Sequence, residues 1–333
     1  MLPGCSGLLA LVILVTPLST ALGGVLDGIG VMGDSYSDEY QFYPVDRSLA
    51  RNWVEILAEA HGLNFGKFST ASRGEPRNQG YEFNWSRSEA TTDDLIASGQ
   101  HTGLAAQVAR GEVTLACVFI GGNDFIHALK SPEPARALGD ALPRAVKNFH
   151  TAVSAVLAAS PNVKVVLGTL PDIRDLPEIA DSIRVGLLDL SLADAYTKAI
   201  DEFNAQVRAI GLRDRRVAVM DLAVGMKVAN RLGRDALVVA GQKLDRHDPG
   251  NGLGHVFLAD RRHLGTLGHG AIARFFIVTV NLRFRAGIPP LTDQALLSCA
   301  GASLADGSKS PGLTELVNRT GGRDIRVSPP NAK

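Results

Sequence analysis

A serine, an asparagine and an aspartate–histidine pair stand out in this 333-residue chain because each lies beside an apolar run. Ser35 falls in Gly33-Asp34-Ser35-Tyr36-Ser37-Asp38, directly after Gly28-Ile29-Gly30-Val31-Met32. An apolar run ending in such a turn reads as a buried strand that lifts a hydroxyl into a concave site. Ala116-Cys117-Val118-Phe119-Ile120 ends in Gly121-Gly122-Asn123-Asp124, and Asp260 stands three positions before His263 near the last strongly apolar stretch. A serine hydroxyl needs a base to take its proton, and imidazole titrates in the working range. His263 fits that role, and the carboxylate of Asp260 can hold the other ring nitrogen and stabilise the imidazolium. Asn123 can donate its amide, and Ser35 its backbone N–H, where negative charge develops. Each group also has a structural alternative. Gly-Asp-Ser is compatible with an ordinary turn or helix cap, Asp260 and His263 with a surface ion pair, and Asn123-Asp124 with turn residues, Asp124 suiting the first turn of the next helix.

Three of these blocks, in order, resemble the SGNH or GDSL-type serine hydrolases: Gly33-Asp34-Ser35-Tyr36-Ser37, Gly121-Gly122-Asn123-Asp124 and Asp260-x-x-His263. A fourth segment, Asn84-Trp85-Ser86-Arg87-Ser88-Glu89-Ala90-Thr91-Thr92, resembles the block in which the family usually has a glycine whose N–H helps bind the oxyanion; that position is Glu89 here. The resemblance implies an esterase or lipase working without metal or cofactor, through an acyl-enzyme on Ser35 with His263 as base and Asp260 orienting it. The oxyanion donors would be Ser35, Glu89 and Asn123, with Asp34 and Gly122 in support. Implied substrates are small-molecule, lipid or glycan esters. Two alternatives stand beside this: a binding protein that keeps the fold with impaired catalysis, as Glu89 would allow, and a glycan acyltransferase using the same residues.

These side chains need a sheet to gather them. Residues 25–32, 113–120, 163–170 and 216–222 are nearly continuous apolar runs, as expected of parallel strands buried on both faces. Apolar recurrence at three and four residues predicts helices around 53–57, over 143–159 and over 188–210. Segment 271–284 reads as a helix or, from its Phe-Phe-Ile-Val-Thr-Val run, a strand; the resemblance favours the helix. The fold class is therefore α/β, a three-layer α/β/α sandwich with a central mostly parallel sheet, flavodoxin-like as the resemblance implies. Its ligands would bind outside the carboxyl ends of the strands.

Hydrophobic residues make up 45% and charged residues 20%, with 34 basic and 34 acidic side chains, which suits a packed core and gives no global attraction to nucleic acid. Residues 1–26 carry no basic side chain and no acidic one, and an apolar centre at 8–15 precedes Pro17 and small residues at 19–21. That pattern resembles a signal peptide over 1–21, hence a secreted or periplasmic enzyme whose membrane contact depends on the segment staying uncleaved. The hydrolase domain is expected over 25–286, followed by a polar, Gly/Ser-rich, poorly ordered tail over 287–333. Asp245 to His255, with His247, faintly resembles a calcium loop, but lacks the ligand spacing and reads better as a polar loop bordering the site. His269 is expected to pack or cap on the last helix. Tyr40, Phe42, Tyr43 and Trp53 would line a substrate pocket or pack against helices.

Overall fold

The computed structural model describes residues 26–71, 79–232 and 236–303. Residues 1–25, which include the segment expected to be a signal peptide, and residues 304–333 lie outside the described residues. Along the chain come β1 (Ile29–Gly33), α1 (Trp53–His61), β2 (Phe68–Ser69), β3 (Gly80–Tyr81), α2 (Thr92–Ala97), α3 (Gln100–Ala109), β4 (Leu115–Phe119) and α4 (Gly122–Leu129). They are followed by α5 (Pro134–Ala159), β5 (Lys164–Gly168), α6 (Pro177–Arg184), α7 (Leu190–Arg213), β6 (Val217–Met220) and α8 (Leu222–Leu232). The last elements are β7 (Ala236–Val239), β8 (Gln242–Asp245), α9 (Thr266–Phe284) and α10 (Asp293–Cys299).

The four apolar runs become one parallel sheet, ordered β1-β4-β5-β6. Every residue of β1 and β4 is buried, which is why these strands read as unbroken apolar runs instead of alternating ones. Helices α2 to α5 pack with one another and with α7, while α1, α9 and α10 form a second group. The sheet flanked by helices is the α/β architecture expected. Strands β2 with β3 and β7 with β8 make two small antiparallel pairs outside it.

Two features of the sheet prepare the site. The register pairs Gly33 with Phe119, so β1 and β4 end level and deliver their following turns to one place. Gly33 cannot be replaced there, because a Cβ would sit 2.4 Å from the Phe119 carbonyl oxygen. The outer edge of β1 is occupied by the segment around residues 83–87: Val31 donates to the Phe83 carbonyl, Trp85 to Val31 and Arg87 to Gly33, at 2.9, 2.7 and 3.1 Å. Residue 89 is thereby carried to the carboxyl end of the strand that carries Ser35.

Three expectations need correction at their boundaries, the helix favoured over 271–284 being a helix that starts earlier. Helix α5 starts at Pro134 and runs through Pro143, nine residues earlier than the pattern suggests; Leu138 and Ala141, buried in the core, hold the extra turns despite the missing N–H of Pro143. Helix α9 starts at Thr266, and its Phe-Phe-Ile-Val run is helical; a helix apolar around most of its girth is one buried on several sides. Within the tail expected to be loosely held from residue 287, the described residues 287–303 include the short helix α10, packed on the domain. Thr292 caps α10 by accepting from the Ala295 N–H at 3.1 Å, Leu296 and Leu297 are fully buried, and Arg274 on α9 pairs with Asp293. Two leucines on a seven-residue helix are too few for periodicity to reveal.

Candidate active site

Ser35 follows the end of β1 in a turn closed by Asp34, whose carbonyl accepts from the Ser37 and Asp38 N–H groups at 3.0 Å each and whose carboxylate accepts from the Tyr36 N–H at 3.0 Å. The Ser35 residue is 5% exposed. Its Oγ donates to His263 Nε2 at 2.8 Å, across 228 positions of chain, and His263 Nδ1 donates to Asp260 Oδ2 at 2.6 Å. The other carboxylate oxygen of Asp260 accepts from the N–H groups of Arg262 (3.0 Å) and His263 (2.9 Å), so one side chain holds both the imidazole and the loop that bears it. The structure thus joins three of the residues singled out in the sequence, Ser35, His263 and Asp260.

The histidine loop is anchored from two sides. Arg262 makes a two-pronged contact with Glu178 on α6 at 2.9 Å per bond, and Tyr36 donates its hydroxyl to the Arg262 carbonyl at 2.8 Å. Behind the imidazole lie the rings of Tyr36 and Tyr40, with centroids 6.0 and 5.9 Å away. His269 is in α9 as expected, fully buried and bonded through Nε2 to the Tyr40 hydroxyl at 2.7 Å, and burial pulls its pKa down to about 3.

Electrostatics prepares the pair for proton transfer. Burial alone would raise the Asp260 carboxyl, but the hydrogen bonds and charge of His263 outweigh it and hold Asp260 at about 2. Burial pulls His263 below its ordinary value, partly offset by Asp260, so the imidazole is neutral and able to accept a proton at neutral pH. Asp34 is different: burial lifts it to about 7, opposed by the Tyr36 N–H and aided by the nearby charge of Asp124.

The oxyanion candidates occupy the same strand ends. Among the described residues the N–H groups of Ser35 and Glu89 donate no hydrogen bond, and Asn123, in the first turn of α4, spends one amide proton on the Ala90 carbonyl at 3.0 Å and keeps the other. Glu89 has φ 67°, the left-handed backbone a glycine adopts freely, and its side chain is exposed. Gly122 lies beside Asp34; a Cβ on it would stand 4.0 Å from the Asp34 carboxylate. Asp124 sits in the first turn of α4, yet its carboxylate reaches to Thr92 at the start of α2, accepting from the hydroxyl at 2.7 Å and the N–H at 2.9 Å.

The polar loop of 245–255 folds on itself and meets the site. Asp245 accepts from the His247 and Asp248 N–H groups, His255 bonds the Asp248 carbonyl, and Asn251 accepts from the Ala259 N–H next to Asp260. Among the described residues no group of three or more His, Cys, Asp or Glu side chains could hold a metal ion. Tyr40 and Trp53 are fully buried and pack instead of lining a pocket; Trp53 donates from its indole to Ser37 Oγ at 3.1 Å. Sequence reasoning missed Arg47, Asp38, Ser88 and Glu178, which hold the site through contacts 41 to 84 positions apart. Only Asp38, three residues after Ser35, carried a local signal.

Residues 29–276 match the family described as GDSL-like Lipase/Acylhydrolase. The chain belongs to that family. Ester hydrolysis is accordingly the activity class of this GDSL-family chain. No curated protein matches it in sequence. Among solved structures it is similar to the lipase Lip_vut3 from a goat rumen metagenome, with 16% identity, a TM-score of 0.47 and coverage of 79% of this chain and 99% of that one. It is also similar to a catalytic mutant of Axe2, an acetylxylan esterase from Geobacillus stearothermophilus, with 16% identity, a TM-score of 0.45 and coverage of 77% and 95%. A third similarity is to the catalytic domain of a Streptococcus pneumoniae peptidoglycan O-acetyltransferase, with 10% identity, a TM-score of 0.40 and coverage of 81% and 99%.

Proposed function

We propose that this GDSL-family enzyme cleaves carboxylic esters through an acyl-enzyme on Ser35, with His263 as base and Asp260 orienting it. The observation that carries the reading is the unbroken line of hydrogen bonds from Ser35 Oγ through both ring nitrogens of His263 to Asp260. With the Nδ1 proton held by Asp260, Nε2 is free to take the Ser35 proton as Oγ bonds to the acyl carbon. The carbonyl electron pair moves onto oxygen, which accepts from Ser35 N–H, Glu89 N–H and Asn123 Nδ2. Collapse of this intermediate breaks the ester C–O bond, and the departing alkoxide takes the proton from Nε2 and leaves as an alcohol. Water then repeats the sequence on the acyl-Ser35, losing its proton to His263 and releasing the acid. The substrates are small-molecule, lipid or glycan esters.

Fluorophosphonate labelling with mass-spectrometric site mapping tests the nucleophile; a label on Ser35 is the expected result, and a folded sample that takes none overturns the reading. A p-nitrophenyl ester series of rising chain length then sizes the acyl pocket. Asn123→Ala should lower kcat by about 10²-fold with KM little changed, because its second amide proton is used only once charge appears on the oxygen. An unchanged kcat removes Asn123 from the oxyanion site.

We further infer an extracytoplasmic enzyme from the uncharged, apolar residues 1–26 with small side chains at 19–21. Intact-mass measurement on the protein recovered from its native host should give a chain beginning at Leu22. An unprocessed cytosolic chain overturns this inference.

A further inference from the structure

The oxyanion segment contains a residue in a conformation it would not choose. Residues 87–90 form a turn closed by the Ala90 N–H donating to the Arg87 carbonyl at 3.2 Å, and Glu89 occupies its third position with φ 67°. That position favours glycine, since any Cβ meets its own backbone there. Such a residue persists only where its surroundings hold it.

What holds it converges on Ser88, the residue before. The Ser88 N–H donates to Asp38 Oδ2 at 2.7 Å, and the Ser88 hydroxyl accepts from Arg47 Nη2 at 2.9 Å. Tyr43 donates its hydroxyl to the same Asp38 oxygen, and the Arg47 guanidinium lies 3.9 Å from the Tyr43 ring centroid, so the two anchors brace each other. All three come from the stretch after the nucleophile turn, and Asp38 is fixed by that turn through its N–H to Asp34. Among the described residues Arg47 has no carboxylate partner within ion-pair distance, so its one side-chain hydrogen bond goes to Ser88.

We propose that Arg47, with Asp38 and Tyr43, is a positioning clamp that keeps Glu89 in its left-handed conformation and so aims the Glu89 N–H at the oxyanion. This rests on the ester-hydrolase reading above. Glycine, in this view, is replaceable at the position because the clamp supplies from outside the conformation that glycine would supply by itself. Arg47 acts through Ser88 and touches no reacting atom.

The test is steady-state hydrolysis of p-nitrophenyl acetate at pH 8, where His263 is neutral, by the full chain carrying Arg47→Ala, Ser88→Ala, and Arg47→Ala combined with Glu89→Gly or with Glu89→Ala. Arg47→Ala and Ser88→Ala should each lower kcat by about tenfold or more, as a misplaced donor does, with KM changed far less. Glu89→Gly should restore most of kcat in the Arg47→Ala background, and Glu89→Ala should not. Both substitutions remove the carboxylate, but only glycine removes the steric cost. Unchanged kcat in Arg47→Ala and Ser88→Ala overturns the clamp, as does restoration by both second substitutions or by neither. Thermal unfolding identifies a variant that has failed to fold, and Ser88→Ala, the smaller change, then decides. A folded wild-type enzyme that neither labels at Ser35 nor turns over any ester sinks the hydrolase reading as well, so the two failures are told apart.

Discussion

Ser35→Ala should end ester turnover, with kcat down on the order of 10⁶-fold, as expected when the nucleophile of a three-residue relay is removed. The fold should survive, because among the described residues the one side-chain hydrogen bond of Ser35 is to His263, and the turn around it is closed by Asp34. Initial rates on p-nitrophenyl acetate, fluorophosphonate labelling and circular dichroism on one preparation check all three parts. Turnover persisting in a folded Ser35→Ala enzyme would sink the acyl-enzyme mechanism.

Asp260→Asn should cost about 10⁴-fold in kcat, through a misplaced proton more than through lost charge. One oxygen of Asp260 is committed to the Arg262 and His263 N–H groups, and an asparagine would keep its carbonyl oxygen there. Its NH₂ group would then face His263 Nδ1 and donate to it. The ring proton would move to Nε2, the atom that must accept from Ser35. The pH profile carries an independent sign. Asp260 raises the His263 pKa against burial, so its removal lets that pKa fall further, and the acid limb of kcat/KM should move to lower pH. A loss below tenfold, or a limb moving to higher pH, would contradict the assignment.

The strands were legible because burial on both faces leaves no room for polar alternation, so 113–120 already marked β4 to within two residues at its start and one at its end. In the candidate site, Ser35 and Asn123 were legible because each sits where such a run stops, and Asp260 with His263 because a carboxylate three positions before an imidazole can meet it across one turn of chain. Glu89 was placed by its surroundings in the chain, but nothing in the residue itself announces a left-handed backbone. Arg47 and Ser88 meet through one side-chain bond 41 positions apart, a pairing with no period to detect. The pairs β2–β3 and β7–β8 are two and four residues per strand, too short for alternation to rise above turn composition. Pro143 misled for the opposite reason: a strong local signal for a helix start was overridden by tertiary packing along α5.

The 228 positions between Ser35 and His263 bear on when the chain becomes dangerous to its maker. On the proposed mechanism, a ribosome that has produced Ser35, the Glu89 turn and the whole parallel sheet has still produced a serine of ordinary reactivity, because His263 is encoded in the last quarter and is seated by contacts from α6 and the turn ahead of α9. Products that end before Asp260 should therefore be inert toward cellular esters. On that mechanism, reactivity toward esters waits until the turn ahead of α9 meets the end of β1 and brings His263 to Ser35.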